Sequence, residues 1–543
     1  MSIAERVTGV AGQVAARVGV EGFAAVSLLR AGAFGVEPPL RLARVLQAFQ
    51  RYGPAGAALA VACQRHGGRP AILDERGELS FAELDERSTR LANALRARSF
   101  RDGDGIGILC RNHRGIFDAL FAAAKLGART VLLNTDFAGP QLADVCDRER
   151  IALLIHDEEF TGTVGEYRPA LGCLLGWTDR AAAESVDALI AEGDDAPPPR
   201  PARTQQIVLL TSGTTGTPKG AAREFGTSLA IPGGYLSRIA LRSQRPVYVA
   251  VPVFHAWGLL SSVIALALSD TLVLRRRAEP GEVLQALREH RCDALITVPV
   301  LLSRLITELE TTGAAPPPRL RIVAVSGSAL SPDLAVRTRA VLGEVLYNLY
   351  GSTEVAYASI ATPADLAAAP GSVGRPPRGT TVRLLDEHGV EVASGAAGRI
   401  FVGNSIQFGG YTGGGSKEQV AGLMSTGDLG HLDAAGRLFV DGRDDDMIVS
   451  GGENVFPGEV EDLLGGHAGI LEAAVVGVSD PDFGQRLRAF VVRRPAAELD
   501  ADEVQRYVKA HLARYKAPRD IVFLDELPRN PAGKVMKRQL PLE

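Results

Sequence analysis

The chain has 543 residues, 46% of them apolar and 22% charged, with a formal net charge of -4. These proportions exclude a fibrous or wholly disordered protein, and at roughly 150 residues per domain the length predicts about three or four folded units. With no basic excess there is no field to favour nucleic acid. The five cysteines, odd in number and without a C-x-x-C pair, predict reduced buried thiols in a cytoplasmic compartment, not a disulfide framework or zinc knuckle.

Residues 1–66 read as a helical extension broken at Gly35, Pro38, Pro39 and Pro54. Its most apolar window, Val18 to Val36, contains Glu21 and Arg30 and is not a membrane span. Leu28, Leu29, Leu40 and Leu42 are expected to pack on the protein, with peripheral contact at the inner face of a membrane as the alternative. Residues 67–444 are expected to form the large domain. It opens with a hairpin, Ala71–Leu73 and Leu79–Phe81, followed by a helix from Ala82 to Arg96 with Ser80 as cap and Glu83 at the capping-box position. Strand Gly105–Leu109, helix Ile116–Leu126 and strand Thr130–Asn134 then make a βαβ unit.

Beyond the proline-stiffened loop Asp194–Pro201, strands are predicted at Ile207–Leu210, Val247–Val251, Thr271–Leu274, Ala294–Val298 and Arg321–Val325. Helices Pro280–Glu289 and Val300–Leu309 alternate with them, so the fold class is α/β with helix-covered, largely parallel sheets. Residues 371–442, rich in glycine and short strands, read as a smaller β-rich unit. Residues 445–543 read as a small α+β domain with strands Ala473–Val478, Leu487–Val492 and Ile521–Phe523 and a helix Ala501–Leu512.

Four segments carry chemistry. Thr211-Ser212-Gly213-Thr214-Thr215-Gly216-Thr217-Pro218-Lys219-Gly220 follows an apolar strand. Its glycines let successive N–H groups and hydroxyls face one concavity, and Lys219 adds a cation, which suits polyphosphate. The spacing is not that of a Walker A loop. Leu349-Tyr350-Gly351-Ser352-Thr353-Glu354 offers an aromatic face for a purine and a carboxylate for Mg²⁺. Asp428, in Ser425–Gly430, and Arg443, after Asp441-Gly442, offer a carboxylate and a guanidinium for ribose hydroxyls. Lys534 follows Gly533 on the proline-rich loop Pro528–Val535.

Together with Ser326–Pro332 and Gly442–Glu461, these motifs resemble, in order, those of the acyl- and aryl-CoA synthetases of the adenylate-forming superfamily, over roughly residues 69–543. The resemblance implies ATP, Mg²⁺ and coenzyme A as cosubstrates and metal, and a small-molecule carboxylic acid as substrate. It implies that Thr211 to Lys219 hold the β- and γ-phosphates, and that Thr211 and Glu354 hold Mg²⁺. Gly327, Ser328, Ala329, Asn348, Leu349 and Tyr350 would line adenine, Asp428 and Arg443 would bind ribose, and Lys534 would bridge the carboxylate and the α-phosphate. It also implies that Asp445 is a hinge about which residues 445–543 swing between two half-reactions. Ser450, Gly451 and Gly452 would then line the pantetheine tunnel, and His255, Trp257 and Gly258 the acyl pocket.

The chemistry suits these groups. A carboxylate is already ionised at pH 7, so joining it to the α-phosphate requires neutralisation of charge at phosphorus and not a general base. Amino-acid-activating relatives place an Asp after Phe where this chain has His255, which favours an apolar acyl group and predicts a medium- or long-chain fatty acid. Three departures from the family pattern stand out: Arg399 in place of a common Glu, the acidic run Asp444-Asp445-Asp446, and Leu423-Met424 in place of an aromatic. The alternatives are transfer of the acyl group to a carrier protein, or a nucleotide-binding homologue without turnover.

Overall fold

A computed structural model describes residues 3–33, 39–211, 219–223, 228–405, 408–444, 448–450, 453–480, 484–495, 497–512, 514–531 and 533–542. Within the large domain the alternation of strands and helices produces two sheets. In the first, eight strands run in the order Ser359–Ala361, Leu346–Tyr350, Ile322–Val325, Ala294–Thr297, Pro246–Val249, Thr271–Val273, Pro70–Asp74 and Gly77–Ser80, antiparallel only at its two edges. The second has six strands, in the order Cys173–Trp177, Ile151–Asp157, Gly105–Leu109, Arg129–Leu132, Gln206–Thr211 and Lys219–Arg223, with an antiparallel final pair. Parallel strands buried on both faces require apolar cover, and the helix Arg114–Leu126 supplies it, with every residue from Gly115 to Leu126 buried. The neighbouring helix Phe81–Ala97 begins at the expected capping box, in which Ser80 Oγ accepts from the Glu83 N–H and Glu83 accepts from the Ser80 N–H.

The first helix (Ile3–Ala31) crosses the helix Ala230–Arg238 at Gly233, where a Cβ would stand 2.4 Å from the Ala24 backbone. Leu28 is buried there while Leu29 faces solvent, so only part of the expected packing face is used; the side chains of Leu40 and Leu42 lie outside the described residues. The second helix (Pro39–His66) kinks where expected, at Gly53 (φ 69°) and Pro54. Beyond the kink it packs on Arg114–Leu126 and on the helix Ala256–Ala267. No helix among the described residues is long and apolar enough to cross a membrane.

A five-stranded antiparallel sheet forms the β-rich unit. In the small domain, the long hairpin Ile470–Asp480 and Gly484–Arg493 alternates its side chains. Leu487, Ala489 and Val491 turn toward the helices Pro457–Gly465 and Ala501–His511, while Phe490 and Val492 pack with Leu527 and Leu540 of the C-terminal segment. Ala256–Ala267, Pro332–Leu342 and Pro457–Gly465 are among the helices that the sequence did not reveal. The first of these is almost uniformly apolar and has no polar face to give it a visible period.

Candidate active site

One cavity of about 1860 Å³ runs through the cleft between the two domains and continues into the large domain. Its polar end is built on loops at the C-terminal ends of adjacent parallel strands, the usual ligand-binding edge of such sheets. Gly327, Ser328 and Ala329 follow strand Ile322–Val325, and Asn348, Leu349, Tyr350, Gly351 and Thr353 end and follow strand Leu346–Tyr350; all line the cavity. The second loop is tight: a Cβ on Gly351 would lie 2.2 Å from the Ala356 carbonyl oxygen, and Ala356 itself has φ 63°.

Asp428 and Arg443 are opposed in the register of two antiparallel strands, with 3.6 Å between Oδ1 and Nη1. Tyr350 Oη donates to Asp428 Oδ2 at 2.5 Å. Burial raises the Asp428 carboxyl pKa, and the Tyr350 bond and the charges of Arg443 and Lys534 oppose that rise. Burial and Asp428 also hold the Tyr350 phenol well above its usual range, so it remains a donor.

Glu354, buried in the tight loop, accepts from Tyr411 Oη at 2.7 Å. The Tyr411 ring also carries Lys219, whose Nζ is 5.3 Å from the ring centroid. Tyr411 therefore joins the two charged groups expected at the phosphates, and it went unread because Gly-Gly-Tyr-Thr reads as a plain turn. Thr211 and Lys219 are paired across the antiparallel strands that flank the glycine-rich loop. Ser212, Gly213, Thr214, Thr215, Gly216, Asp445, Gly451 and Gly452 lie outside the described residues, and of Ser450 only the backbone, paired with Glu453 and Gly484, is described.

Lys534 lines the same cavity from the small domain. Its N–H donates to Asn530 Oδ1 at 2.9 Å, and the Arg529 guanidinium donates to the Gly533 carbonyl at 2.6 Å and pairs with Glu472. Gly533 (φ 75°) presses on the large domain so closely that a Cβ would stand 2.5 Å from Val300 Cγ1. Arg399, without evident purpose in the sequence, pairs with Glu418 and sets its Nε 3.3 Å from Asp444 Oδ2. Asp444 also donates its N–H to the Gly427 carbonyl. The residue before the expected hinge is thus tied to the β-rich unit.

The apolar end begins at His255, which precedes the helix Ala256–Ala267 and packs on Phe254. Its Nε2 is buried with no hydrogen-bond partner among the described residues. Burial lowers the imidazole pKa to about 4, so the ring is neutral at pH 7. Trp257 lines the cavity and donates Nε1–H to the Thr297 carbonyl at 3.0 Å. Gly258 does not line it, contrary to expectation; a Cβ there would meet the Pro252 carbonyl oxygen at 2.3 Å, so this glycine serves the close approach of the helix to its preceding loop. Ala256, Leu260, Val263 and Ala267, at helical spacing, form a partly accessible stripe on an otherwise buried helix, and that stripe faces the cavity. Elsewhere, Cys110, His113 and Asp157 have metal-ligand spacing, but both His113 nitrogens are engaged, with Asp157 Oδ1 and the Gly115 N–H, and they cap a helix.

The AMP-binding enzyme family model matches residues 59–412, and the model of the AMP-binding enzyme C-terminal domain matches residues 459–534. The chain belongs to the AMP-binding enzyme family. This family member is 33% identical to an indoleacetate–CoA ligase of Aromatoleum aromaticum over 87% of its own length and 94% of the relative's. It is 30% identical to a fatty acid–[acyl-carrier-protein] ligase, ScoC, of Streptomyces coeruleorubidus, over 87% and 92% of the two chains. Its fold matches that of the o-succinylbenzoate CoA synthetase of Bacillus subtilis in complex with an acyl-adenylate. That match has a TM-score of 0.77 at 28% identity and covers 89% of this chain and 97% of the other.

Proposed function

We propose that the protein activates a medium- or long-chain fatty acid as its acyl-adenylate and transfers the acyl group to coenzyme A. The general activity is that of an AMP-forming acid–thiol ligase using ATP, Mg²⁺ and CoA. The observation that carries the substrate reading is the continuity of the cavity. The same cavity is lined by Lys534, Tyr350 and Asp428, by His255 and Trp257, and by the hydrocarbon stripe Leu260, Val263 and Ala267. An alkyl chain needs only such apolar walls, and each buried methylene contributes about 0.8 kcal/mol.

In this reading the loops at Gly327–Ala329 and Asn348–Tyr350 receive adenine, Asp428 and Arg443 hold the ribose, and Lys219 with the Thr211–Gly216 loop receives the phosphates. Glu354 and Thr211 would hold Mg²⁺. Glu354 fits that role, being a buried carboxylate with one oxygen already fixed by Tyr411, and oxygen is the donor Mg²⁺ prefers. Bound there, the ion would draw negative charge from the polyphosphate. The substrate carboxylate oxygen attacks the α-phosphorus, pyrophosphate leaves, and Lys534 steadies the charge shared between carboxylate and phosphate. Neutral His255 places no charge beside the carboxylate. In the second half-reaction the CoA thiolate attacks the acyl carbonyl and AMP leaves. That step needs Lys534 withdrawn from the cleft, which a swing about Asp445 provides.

A second reading, an aromatic acid, is favoured by the names of the indoleacetate and o-succinylbenzoate relatives. The test is incubation of the purified protein with ATP, Mg²⁺, CoA and single acids from alkyl and aryl panels, with products read by mass spectrometry and Lys534→Ala run in parallel. Alkyl-CoA formed by the wild type and lost in the variant supports the fatty-acid reading. Aryl-CoA alone supports the second, and acyl-adenylate without thioester points to a carrier-protein acceptor.

A further inference from the structure

We infer that the second helix is the far wall of the acyl site and limits the length of chain the enzyme accepts, an inference that rests on the fatty-acid reading above. The wall residues Phe49, Pro54, Ala55 and Ala58 precede the family match, which starts at residue 59, yet all line the same cavity as Lys534 and Tyr350.

Their position follows from the kink. Gly53, at φ 69°, takes a conformation that residues with a Cβ rarely adopt, and Pro54 brings no N–H to a helical hydrogen bond, so the helix changes direction there. The segment after the kink is locked in rotation. A Cβ on Gly56 would meet the Ala124 side chain at 3.1 Å and its own Tyr52 at 2.6 Å, so position 56 faces the buried helix Arg114–Leu126. Ala55, Ala57, Ala58 and Val61 line the cavity, and this segment packs on the helix Ala256–Ala267. Three of these four are alanines, which keep the wall back and leave room for a chain. Phe49, the one large side chain named, stands on the other side of the kink.

The opposing stripe gives the length. From Ala256 to Ala267 the helix rises about 16 Å, the reach of an extended chain of about a dozen carbons with bonds of ~1.5 Å. A chain lying along this stripe has about that length before it meets the alanine wall. The N-terminal extension belongs to the binding site and sets specificity through packing volume, since protein interiors tolerate little overfilling.

The test compares kcat/KM for saturated acids of increasing length, measured as pyrophosphate release by the full chain, in wild type, Ala58→Phe and Phe49→Ala. Each buried methylene corresponds to about a fourfold step in kcat/KM. Ala58→Phe is expected to lower the dodecanoate-to-hexanoate ratio at least tenfold, and Phe49→Ala to move the optimum toward longer acids. Ala58→Leu is the milder filling variant should the phenylalanine disturb folding, and a melting curve identifies the folded proteins. A wild type with an alkyl profile that none of the folded variants shifts overturns the wall. A wild type that turns over aryl acids and no alkyl acid overturns the fatty-acid reading itself.

Discussion

At the proposed nucleotide end of the cavity the protein's polar groups hold one another: Tyr350 on Asp428, Asp428 facing Arg443, Tyr411 between Lys219 and Glu354. At the proposed acyl end Leu260, Val263, Ala267 and Ala58 offer only hydrocarbon, and the buried His255 Nε2 has no hydrogen-bond partner among the described residues. The contrast follows from what each end must do. Charge developing at phosphorus is stabilised by groups fixed in advance, because reorienting dipoles during reaction is costly. A methylene chain has no direction to be read, so volume and shape decide which chain fits. The polar end should accordingly fail steeply and for every acid when one group is removed, and the acyl end gradually and by acid.

The largest effect should come from Lys534→Ala, with adenylation slowed about 100- to 1000-fold or more for every acid tested by ATP–pyrophosphate exchange. Thioester formation from supplied acyl-adenylate should suffer much less, because in the proposed mechanism Lys534 has left the cleft before that step. Equal loss in both assays would erase the division between half-reactions.

Next comes His255. Its folded pKa of about 4 lies below the ordinary 6.5, so between these values the unfolded chain takes up a proton that the folded chain refuses. Stability is therefore lost as pH falls from 6.5 toward 4 and this loss levels off below, amounting to about 3 kcal/mol. Urea unfolding at pH 7 and pH 4 should show that increment in the wild type and not in His255→Phe. The same slope in both proteins would mean that the ring is not desolvated.

Tyr411→Phe keeps the ring beneath Lys219 and removes the bond to Glu354. Loss of a hydrogen bond to a charged group is about 1.5–3 kcal/mol, so adenylation should fall about tenfold or more and require more Mg²⁺ for half-saturation, again for every acid. An unchanged Mg²⁺ requirement would detach Tyr411 from Glu354's role. The smallest effect is the selective one. Val263→Trp should reduce kcat/KM for dodecanoate about tenfold and that for a short acid much less. A loss independent of chain length would show that position 263 acts through the fold and not through the slot.

The two ends also differed in how far they could be read from sequence. Gly327–Ala329, Asn348–Glu354, Ser425–Gly430 and Pro528–Lys534 are short contiguous segments, loops or strand ends, so each motif carries its own geometry in a few residues. Even Asp428 and Arg443, 15 positions apart, are opposed by ordinary antiparallel register. The proposed acyl slot would be assembled from faces of helices some two hundred residues apart, at Ala58 and Val263, which line one cavity, and no local pattern marks either one. The helix Ala256–Ala267 is hidden by its nearly uniform apolarity, and Gly258, expected in the pocket, has the Pro252 carbonyl as its neighbour in space. Tyr411 and Arg399 owe their interest to partners, Glu354 and Asp444, that only folding brings near.

The central claim, a carboxylate-activating site coupled to an alkyl slot, is tested most directly by competition. The protein would be given equimolar dodecanoate, hexanoate, indoleacetate and ferulate with limiting ATP and excess CoA, and the thioesters counted by mass spectrometry at early time. Dodecanoyl-CoA should dominate, with hexanoyl-CoA behind it and the aryl thioesters least. Predominance of indoleacetyl- or feruloyl-CoA would contradict the account and make the cavity beside the 256–267 helix the site of a ring.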